Sequence, residues 1–477
     1  MGLQIYNSLS RKLEDFAPLN AERVTIYNCG PTVYDYIHMG NARTALVTDI
    51  IRRYLTHKGY NVKLAQNLTD IDDKIIARAA ELGISEKQLA QQRGDAFLED
   101  SLRLGIQPAD VHPKATEHIP EMLTLIQRLI DKGAAYVIDG SVYYRVNAFA
   151  EYGKLSHRKP EDLLAGARVE IDERKEDPRD FDLWKAAKPG EPTWDSPWGK
   201  GRPGWHIECS AMAMKHLGET LDMHVAGEDL LFPHNENEIA QSELATGKPF
   251  ARYWVHVAFL KIDGRRMGKS ERNFILLRDA LDNYPTEVIR HFLISAQYRH
   301  PLDYNPESLA KSEGALRRLN NCLAALETYQ TADAADVEGE AETALRNATL
   351  QMKADFQAAM DADFNTARAL GAIFTLIGAV NRFIQQTETD AAAVLAHARE
   401  ALIETCGVLG IYNAQDSDVQ DDSGEMLTHL VTLLLDIRQD ARQRKDWETS
   451  DKIRDRMKEL NIEIQDTRQG ATWKFIS

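Results

Sequence analysis

The stretch from Val24 to Leu64 limits what this chain can become. Val24 and Ile26 alternate with polar neighbours at the period of a strand. Val47, Ile50, Ile51, Tyr54 and Leu55 then share one face of a helix that Gly59 stops, and Val62 and Leu64 alternate again. Strand, helix, strand in this order is a βαβ unit, and a parallel sheet follows from it. The tetrad His38-Met39-Gly40-Asn41 falls where the first strand passes into the helix. That end of a helix presents backbone N–H groups and partial positive charge, so it suits a phosphate. Gly40 lets a ligand approach the backbone closely.

One sheet does not use the whole chain. Its 477 residues predict about two to four domains. With 43% hydrophobic and 27% charged residues it reads as a soluble globular protein. No apolar run approaches the ~18 residues of a membrane span. The opening MGLQIYNSLSRKLEDF lacks the apolar centre of a signal peptide, and Tyr6 stands where N-myristoylation needs Ser or Thr. Cys29, Cys209, Cys322 and Cys406 are too few for a disulfide framework in so long a chain. A reducing compartment, the cytoplasm, is expected, with cysteine used for metal or packing. The net charge of −16 argues against loose binding of nucleic acid. It leaves room for a specific RNA held on a local basic surface.

From about residue 125 to 200 the α/β pattern breaks. A helix (IPEMLTLIQRLIDKG), a β-rich piece (GSVYYRV) and a Gly- and Pro-rich loop (KPGEPTWDSPWGKGRPG) read as an insertion. The sheet resumes near TLDMHVAGEDLLF and runs into the helix PHNENEIAQSELATG, which Gly247 ends. After about residue 306 the pattern is helical, with Leu309, Leu316, Leu319, Leu323 and Leu326 in one stripe. Residues 330–342 and the acidic 413–425 read as linkers, and the tail from Met426 as a small separate unit.

Two constellations carry chemistry. Cys29, Cys209, His234 and Glu238 offer thiolate, imidazole and carboxylate, all zinc ligands, and four of them complete a tetrahedral shell. His234 and Glu238 are four apart on a helix and so share a face. The alternative makes the two cysteines small buried hydrophobes and His234 a surface helix residue. A four-ligand zinc is usually structural, so a metal acting in chemistry here has to accept a further ligand or loosen one. The second constellation is DGRRMGKSERNF, residues 263–274, where Arg265, Arg266 and Lys269 lie on a Gly-rich loop. Such a loop can carry cations to a polyphosphate; the alternative is a solvated basic turn.

With these residues in view, the chain resembles the cysteinyl-tRNA synthetases, a family of class I aminoacyl-tRNA synthetases. The resemblance runs from IYNCGPTVYD to QDTRQGATWKF and includes NLTDIDDKII, GRPGWHIECSAM, DLLFPHNENEIAQS and MDADFNTARAL. HMGN takes the place of the family's HIGH tetrad and RMGKS that of KMSKS, with Arg266 and Gly268 replacing the first Lys and the first Ser. HVAGEDL stands where a Gly-richer HGGG is usual, and Asn235 replaces a second His beside His234.

The resemblance implies a Rossmann-like parallel-sheet catalytic domain in two halves, 1–124 and 201–250, split by an inserted connective domain, 125–200. It implies a stem-contact region with the KMSKS-like loop at 251–305, a tRNA-binding helical bundle at 306–412 and an anticodon-binding domain at 426–477. It implies one Zn²⁺ on Cys29, Cys209, His234 and Glu238, and Mg²⁺ arriving with ATP. The implied activity makes cysteinyl-adenylate from L-cysteine and ATP, then charges tRNA(Cys). His38, Asn41 and Lys269 are the implied catalytic residues; ATP binding adds Gly40 and Arg266. Cys29, Thr69, Trp205 and Asp229 would form the cysteine pocket. Arg442, Trp447, Asp451 and Asp466 would read the anticodon; single-stranded bases are read by stacking and edge hydrogen bonds. A monomer is expected. Two rivals share much of this pattern: a ligase that joins activated cysteine to an amino sugar, and a non-catalytic tRNA-binding paralogue. The tail DWETSDKIRD…DTRQGATW speaks against the first, and His38 with Lys269 against the second.

Overall fold

The computed structural model describes residues 2–158, 174–268, 273–327, 339–386, 392–412, 422–460, 462–467 and 470–475. It falls into two compact units, Met1–Tyr412 and Asn413–Ser477. The first begins with an antiparallel hairpin, β1 (Gln4–Asn7) and β2 (Lys12–Asp15). β3 (Val24–Asn28), α1 (Met39–His57) and β4 (Val62–Gln66) then form the βαβ unit that the periodicity predicts, with β3 and β4 parallel. All of β3 is buried, and Leu46, Ile50, Ile51, Tyr54 and Leu55 turn one face of α1 into the core.

After α2 (Asp73–Leu82) and α3 (Glu86–Arg103), α4 (Ile119–Asp131) leads into a separate antiparallel sheet. Its strands are β5 (Ala135–Ile138), β6 (Ser141–Tyr144), β7 (Phe181–Ala186) and β8 (Gly201–Pro203), in that spatial order. Its core holds Met122, Ile126, Leu129, Tyr144, Leu183 and Trp184. The sequence reads the whole stretch before Trp205 as loop. Gly201–Pro203 instead pairs with β7, from Ala186↔Gly201 to Trp184↔Pro203. An edge strand tolerates proline because its outer N–H positions have no partner to lose.

α5 (Trp205–Leu217) brings the chain back. β9 (Leu221–Gly227), α6 (Glu236–Thr246) and β10 (Ala251–Val257) complete a parallel sheet of order β10-β9-β3-β4. From β3 the chain goes first to β4 on one side and later to β9 on the other. The order therefore reverses between β3 and β9, and the crevice outside the carboxyl ends of such strands is where α/β sheets bind ligands. Cys29 follows β3 at this point and Gly227 ends β9.

β11 (Leu260–Ile262), β12 (Arg265–Arg266), α7 (Leu277–Asn283), α8 (Thr286–Ile294) and β13 (Leu302–Tyr304) follow, with the strands in the order β12-β11-β13. Four long helices come next: α9 (Pro306–Leu326), α10 (Glu340–Asp361), α11 (Thr366–Gln386) and α12 (Ala392–Leu409). The leucine stripe of α9 is buried throughout. Against the expectation of no membrane-length run, α11 is long and apolar enough to cross a membrane by length and composition. Arg368 and Arg382 break it as a run of letters, whereas its average composition tolerates both. Its Ile373, Leu376, Ile377 and Val380 are buried in the main core.

The second unit contains α13 (Asp422–Gln443), α14 (Trp447–Glu459) and an antiparallel hairpin of β14 (Ile462–Thr467) and β15 (Gly470–Phe475). Val431, Leu435, Met457 and Ile462 form its small core.

Candidate active site

The strand end after β3 places Cys29, the second turn of α5 places Cys209, a short turn before α6 places His234, and the first turn of α6 places Glu238. All four are buried, and their potential ligand atoms lie within 4.8 Å of one another. Cys29 Sγ is 3.7 Å from Cys209 Sγ and 3.5 Å from His234 Nε2. His234 Nε2 is 3.1 Å from Glu238 Oε1. Both cysteines are free thiols.

The charges within this set are balanced by sharing protons. The Cys29 thiol is pushed down to about 6, first because Cys209 donates S–H to it; burial opposes this and His234 adds to it. Cys209 is pushed well up by the same contact and by burial. Burial pulls His234 down, yet the charges of Cys29 and Glu238 outweigh it and leave the imidazole raised. Burial pushes Glu238 up, and His224 with His234 more than reverses it.

Around this set lies a shell of which sequence reasoning noted only Asn235, as a departure from the resembled family, and not the histidines. His224 Nε2 lies 3.0 Å from Glu238 Oε2, and Asn235 Nδ2 donates to Glu238 Oε1 at 2.8 Å. His256 Nε2 is 3.0 Å from Asn235 Oδ1, and His206 Nδ1 is 2.9 Å from His234 Nδ1. Burial pulls His256 down to about 3 and His206 well below its usual range, so both rings are neutral. A ring nitrogen partnered in this way fixes the tautomer of a ligating histidine. The signal was available only as isolated histidines, and an isolated histidine reads as core.

Cys29, His38, Gly40, Asn41, Trp205, Asp229 and Arg266 line a single cavity of about 560 Å³ at the switch point. Trp205 packs against His234 with ring centres 4.3 Å apart and the ring planes tilted by 35°. Gly227 makes room for Asp229: a Cβ there would stand 2.6 Å from Asp229 Oδ1. Thr69 is 2% exposed and does not line this cavity; its hydroxyl donates to Glu208 Oε2 at 3.0 Å. Burial pushes the Glu208 carboxyl well up. A second cavity, of about 630 Å³, is lined by Val33, Leu68 and α3 and holds none of the predicted site residues.

The helix end at His38 differs from the sequence reading in one respect. Its N–H groups are already partnered. His38 Nδ1 accepts from Gly40 N at 3.1 Å and Asn41 N at 3.3 Å, and Asn41 Oδ1 accepts from His38 N at 3.3 Å. This capping box arises because a histidine and an amide three residues apart satisfy each other across the first turn. It leaves Nε2 as the protonated nitrogen of a neutral His38 ring. At the basic loop, Asn273 clamps both sides: Gly268 N donates to its Oδ1 at 3.1 Å and its Nδ2 donates to Arg266 O at 3.0 Å. Arg266 is exposed, with its guanidinium 5.0 Å from the Phe259 ring centre. Lys269 lies outside the described residues.

In the second unit, Trp447 opens α14 and is 58% exposed. Asp451 is paired with Arg454 at 3.1 Å, Arg442 lies in the last turn of α13, and Asp466 is on β14.

The tRNA synthetases class I (C) catalytic domain family matches residues 15–314, and the DALR domain family matches residues 355–413. The cysteine–tRNA ligase of Pelotomaculum thermopropionicum is 49% identical over 484 residues, covering 99% of this chain and 99% of its own length. That of Symbiobacterium thermophilum is 50% identical over 479 residues, covering 99% and 100%. The chain belongs to the cysteine–tRNA ligase family. Among solved structures, Mycobacterium tuberculosis methionyl-tRNA synthetase in complex with methionyl-adenylate aligns at a TM-score of 0.61 and 17% identity, over 82% of this chain and 90% of that one. That likeness shows the shared class I fold. Within this cysteine–tRNA ligase family member, Asn235 is a working part of the buried shell, bonded on both sides of its amide.

Proposed function

We propose that this chain activates L-cysteine with ATP to cysteinyl-adenylate and transfers the cysteinyl group to the terminal adenosine of tRNA(Cys). The observation that carries the reading is the meeting of a donor set suited to a thiol-binding metal and the His38 side chain, with Cys29 and His38 lining one cavity. The donor set fits zinc. Bonds of about 2.3 Å to sulfur and 2.0–2.2 Å to nitrogen and oxygen, arranged tetrahedrally, separate S from S by about 3.8 Å, S from N by about 3.6 Å and N from O by about 3.4 Å. The corresponding distances here are 3.7, 3.5 and 3.1 Å.

Cys29, Cys209, His234 and Glu238 would hold the Zn²⁺. Bound there, it supplies a cation that takes the substrate's thiolate far more readily than a serine hydroxyl. Pocket shape alone gives only about 10–200-fold selection for one small group. Asp229 supports the substrate ammonium, and Trp205 walls the pocket beside His234. Thr69 contributes from behind, through Glu208. The cysteine carboxylate attacks the α-phosphate of ATP, and pyrophosphate leaves; Mg²⁺ would arrive with the nucleotide and supply positive charge to its phosphates. His38 donates from Nε2 to the triphosphate; Asn41 holds His38 and the helix end in register, and Gly40 keeps the approach open. Arg266 and Lys269 steady the leaving pyrophosphate, the charge that grows in the transition state.

The domain assignment follows: catalytic halves 1–124 and 201–250, insertion 125–200, stem-contact region 251–305, tRNA-binding bundle 306–412, and anticodon reader 426–477 with Arg442, Trp447, Asp451 and Asp466. A cytoplasmic monomer fits this reading. Cysteine-dependent exchange of pyrophosphate into ATP, followed by charging of tRNA(Cys), tests it. Exchange that ignores cysteine, or responds equally to serine, refutes it.

A further inference from the structure

Arg43 stands in the second turn of α1, behind the helix end that carries His38, and is fully buried. Among the described residues no carboxylate forms an ion pair with it. Burial alone pulls its guanidinium down to about 10, so it is charged at neutral pH. A buried charge is costly unless its hydrogen bonds are made. Arg43 makes them to main-chain carbonyls. Nη1 donates to Ala258 O at 2.8 Å and Phe259 O at 3.5 Å. Nη2 donates to His300 O at 2.9 Å and Gln297 O at 3.4 Å. Each nitrogen takes one segment: 258–259, which follows β10, and 297–300, between α8 and β13. An apolar side chain would occupy this place without the cost of desolvating a charge. The use of the cation lies in what it holds.

The 258–259 segment lines the active-site cavity, within a wall of Val257, Ala258, Phe259 and Leu260. The peptide that supplies Ala258 O also carries Phe259 N–H. A trans peptide is planar, so its C=O and N–H point opposite ways. Drawing Ala258 O toward Arg43 therefore aims Phe259 N–H away from it. The neighbouring donors are used: Ala258 N donates to Tyr298 O at 2.9 Å and Met267 N to Leu260 O at 2.8 Å. Phe259 N donates to no group among the described residues. Under the adenylation reading the other walls have occupants. The metal-suited set, Trp205 and Asp229 face cysteine, and His38, Gly40, Asn41 and Arg266 face the phosphates. The wall 257–260 is what remains for the nucleoside.

We infer that Arg43 is a positioning residue for the nucleotide: by holding the carbonyls of Ala258 and Phe259 it sets the wall 257–260 and turns Phe259 N–H toward a hydrogen-bond acceptor on the nucleoside of ATP. The inference rests on the adenylation reading above. The planar fork matters, because it reaches two segments at once, whereas the compact ammonium of a lysine can satisfy one.

The test compares the full-length wild type, Arg43→Lys and Arg43→Met in cysteine-dependent pyrophosphate exchange, with ATP and cysteine varied separately and zinc content measured. Arg43→Lys is expected to raise KM for ATP about 10-fold, the effect of roughly one hydrogen bond, while KM for cysteine and zinc content hold. Arg43→Met leaves all four carbonyls without their donor and should raise KM for ATP further. An unchanged KM for ATP overturns the inference. So does an equal rise in both KM values, which marks a general structural part instead of a nucleotide-positioning one. A wild type without cysteine-dependent exchange overturns the adenylation reading and this inference with it. If neither variant folds, wild type carrying ¹⁵N-phenylalanine decides, with the Phe259 amide resonance identified by its loss in Phe259→Leu. That resonance must shift on adding ATP alone and stay in place on adding cysteine alone; no shift with ATP overturns the inference.

Discussion

Gly30→Ala would separate the geometry of the site from its composition, because it changes no ligand. Gly30 N donates to Asn67 Oδ1 at 2.8 Å. A Cβ on Gly30 would overlap the carbonyl oxygen of Asn67 and lie 2.9 Å from its carbonyl carbon. The obstruction is backbone, so no rotamer relieves it. Thr69 N donates to Pro31 O at 3.2 Å and Val33 N to Thr69 O at 3.1 Å, so the two segments are laced together just beyond the overlap. Relief requires 29–33 to part from 66–69 by roughly 1 Å. Overpacking of this kind costs about 1–3 kcal/mol, and losing the Gly30–Asn67 bond adds about 1 kcal/mol. The movement begins at Cys29, whose sulfur stands 3.7 Å and 3.5 Å from its two nearest donors. Metal sites hold their distances to about 0.2 Å, and a 1 Å misplacement of reacting groups can cost about 10²-fold. The expected result is a loss of about 2–4 kcal/mol in stability, substoichiometric zinc by elemental analysis, and cysteine-dependent pyrophosphate exchange lower by about 10²-fold. Gly371→Ala on α11 is the control, since its Cβ would meet nothing within 4 Å. It should leave exchange unchanged and add about 0.5–1 kcal/mol. Full zinc and wild-type exchange in Gly30→Ala would refute the reasoning.

Cys209→Ser should lower both zinc content and exchange; a full complement of zinc in that variant would remove Cys209 from the metal set. Lys269→Ala should slow adenylate formation by about 10²–10³-fold while cysteine binding, read by calorimetry, stays near wild type. Equal exchange rates would end the loop's assigned role. A chain ending at Asn413, the boundary of the second unit, should still make cysteinyl-adenylate but charge tRNA poorly, and undiminished charging would show that the tail reads no anticodon. Trp447→Ala should lose a stacking partner worth about 1–3 kcal/mol, seen as about a 10- to 100-fold loss in charging with exchange unaffected.

The sequence displayed what short-range patterns encode. The βαβ unit was legible because its period changes from two to 3.6 and back within about forty residues. The leucines of α9 were legible for the same reason. His234 and Glu238 were readable as neighbours by helical spacing, and donor chemistry proposed Cys29 and Cys209 as their companions; family resemblance decided between that set and two buried small hydrophobes. The shell was not legible. His206, His224 and His256 sit on α5, β9 and β10, and only the sheet order and the return of α5 after the insertion bring them together. The helix end at His38 was misread for a different reason. A rule about helix N-termini counts backbone donors, and here a side chain from the same tetrad had already taken two of them.

The departure at Asn235 shows why a changed letter need not change a site. Ser8 Oγ lies 2.8 Å from His256 Nδ1, and His256 Nε2 lies 3.0 Å from Asn235 Oδ1. Asn235 Nδ2 then donates to Glu238 Oε1 at 2.8 Å. The amide has one arrangement that satisfies both neighbours: its oxygen must face His256 and its nitrogen must face the carboxylate. His256 is neutral, so its donating nitrogen is Nε2 and its Nδ1 accepts from the Ser8 hydroxyl. Every donor in the chain therefore points toward Glu238. An imidazole at position 235 could also donate to Glu238 and accept from His256, but it would add a further group able to take a proton beside the metal-suited set. The amide performs the same two contacts with no charge to gain. What the site requires at this position is a donor toward Glu238 and an acceptor toward β10, and that requirement is weaker than a requirement for histidine.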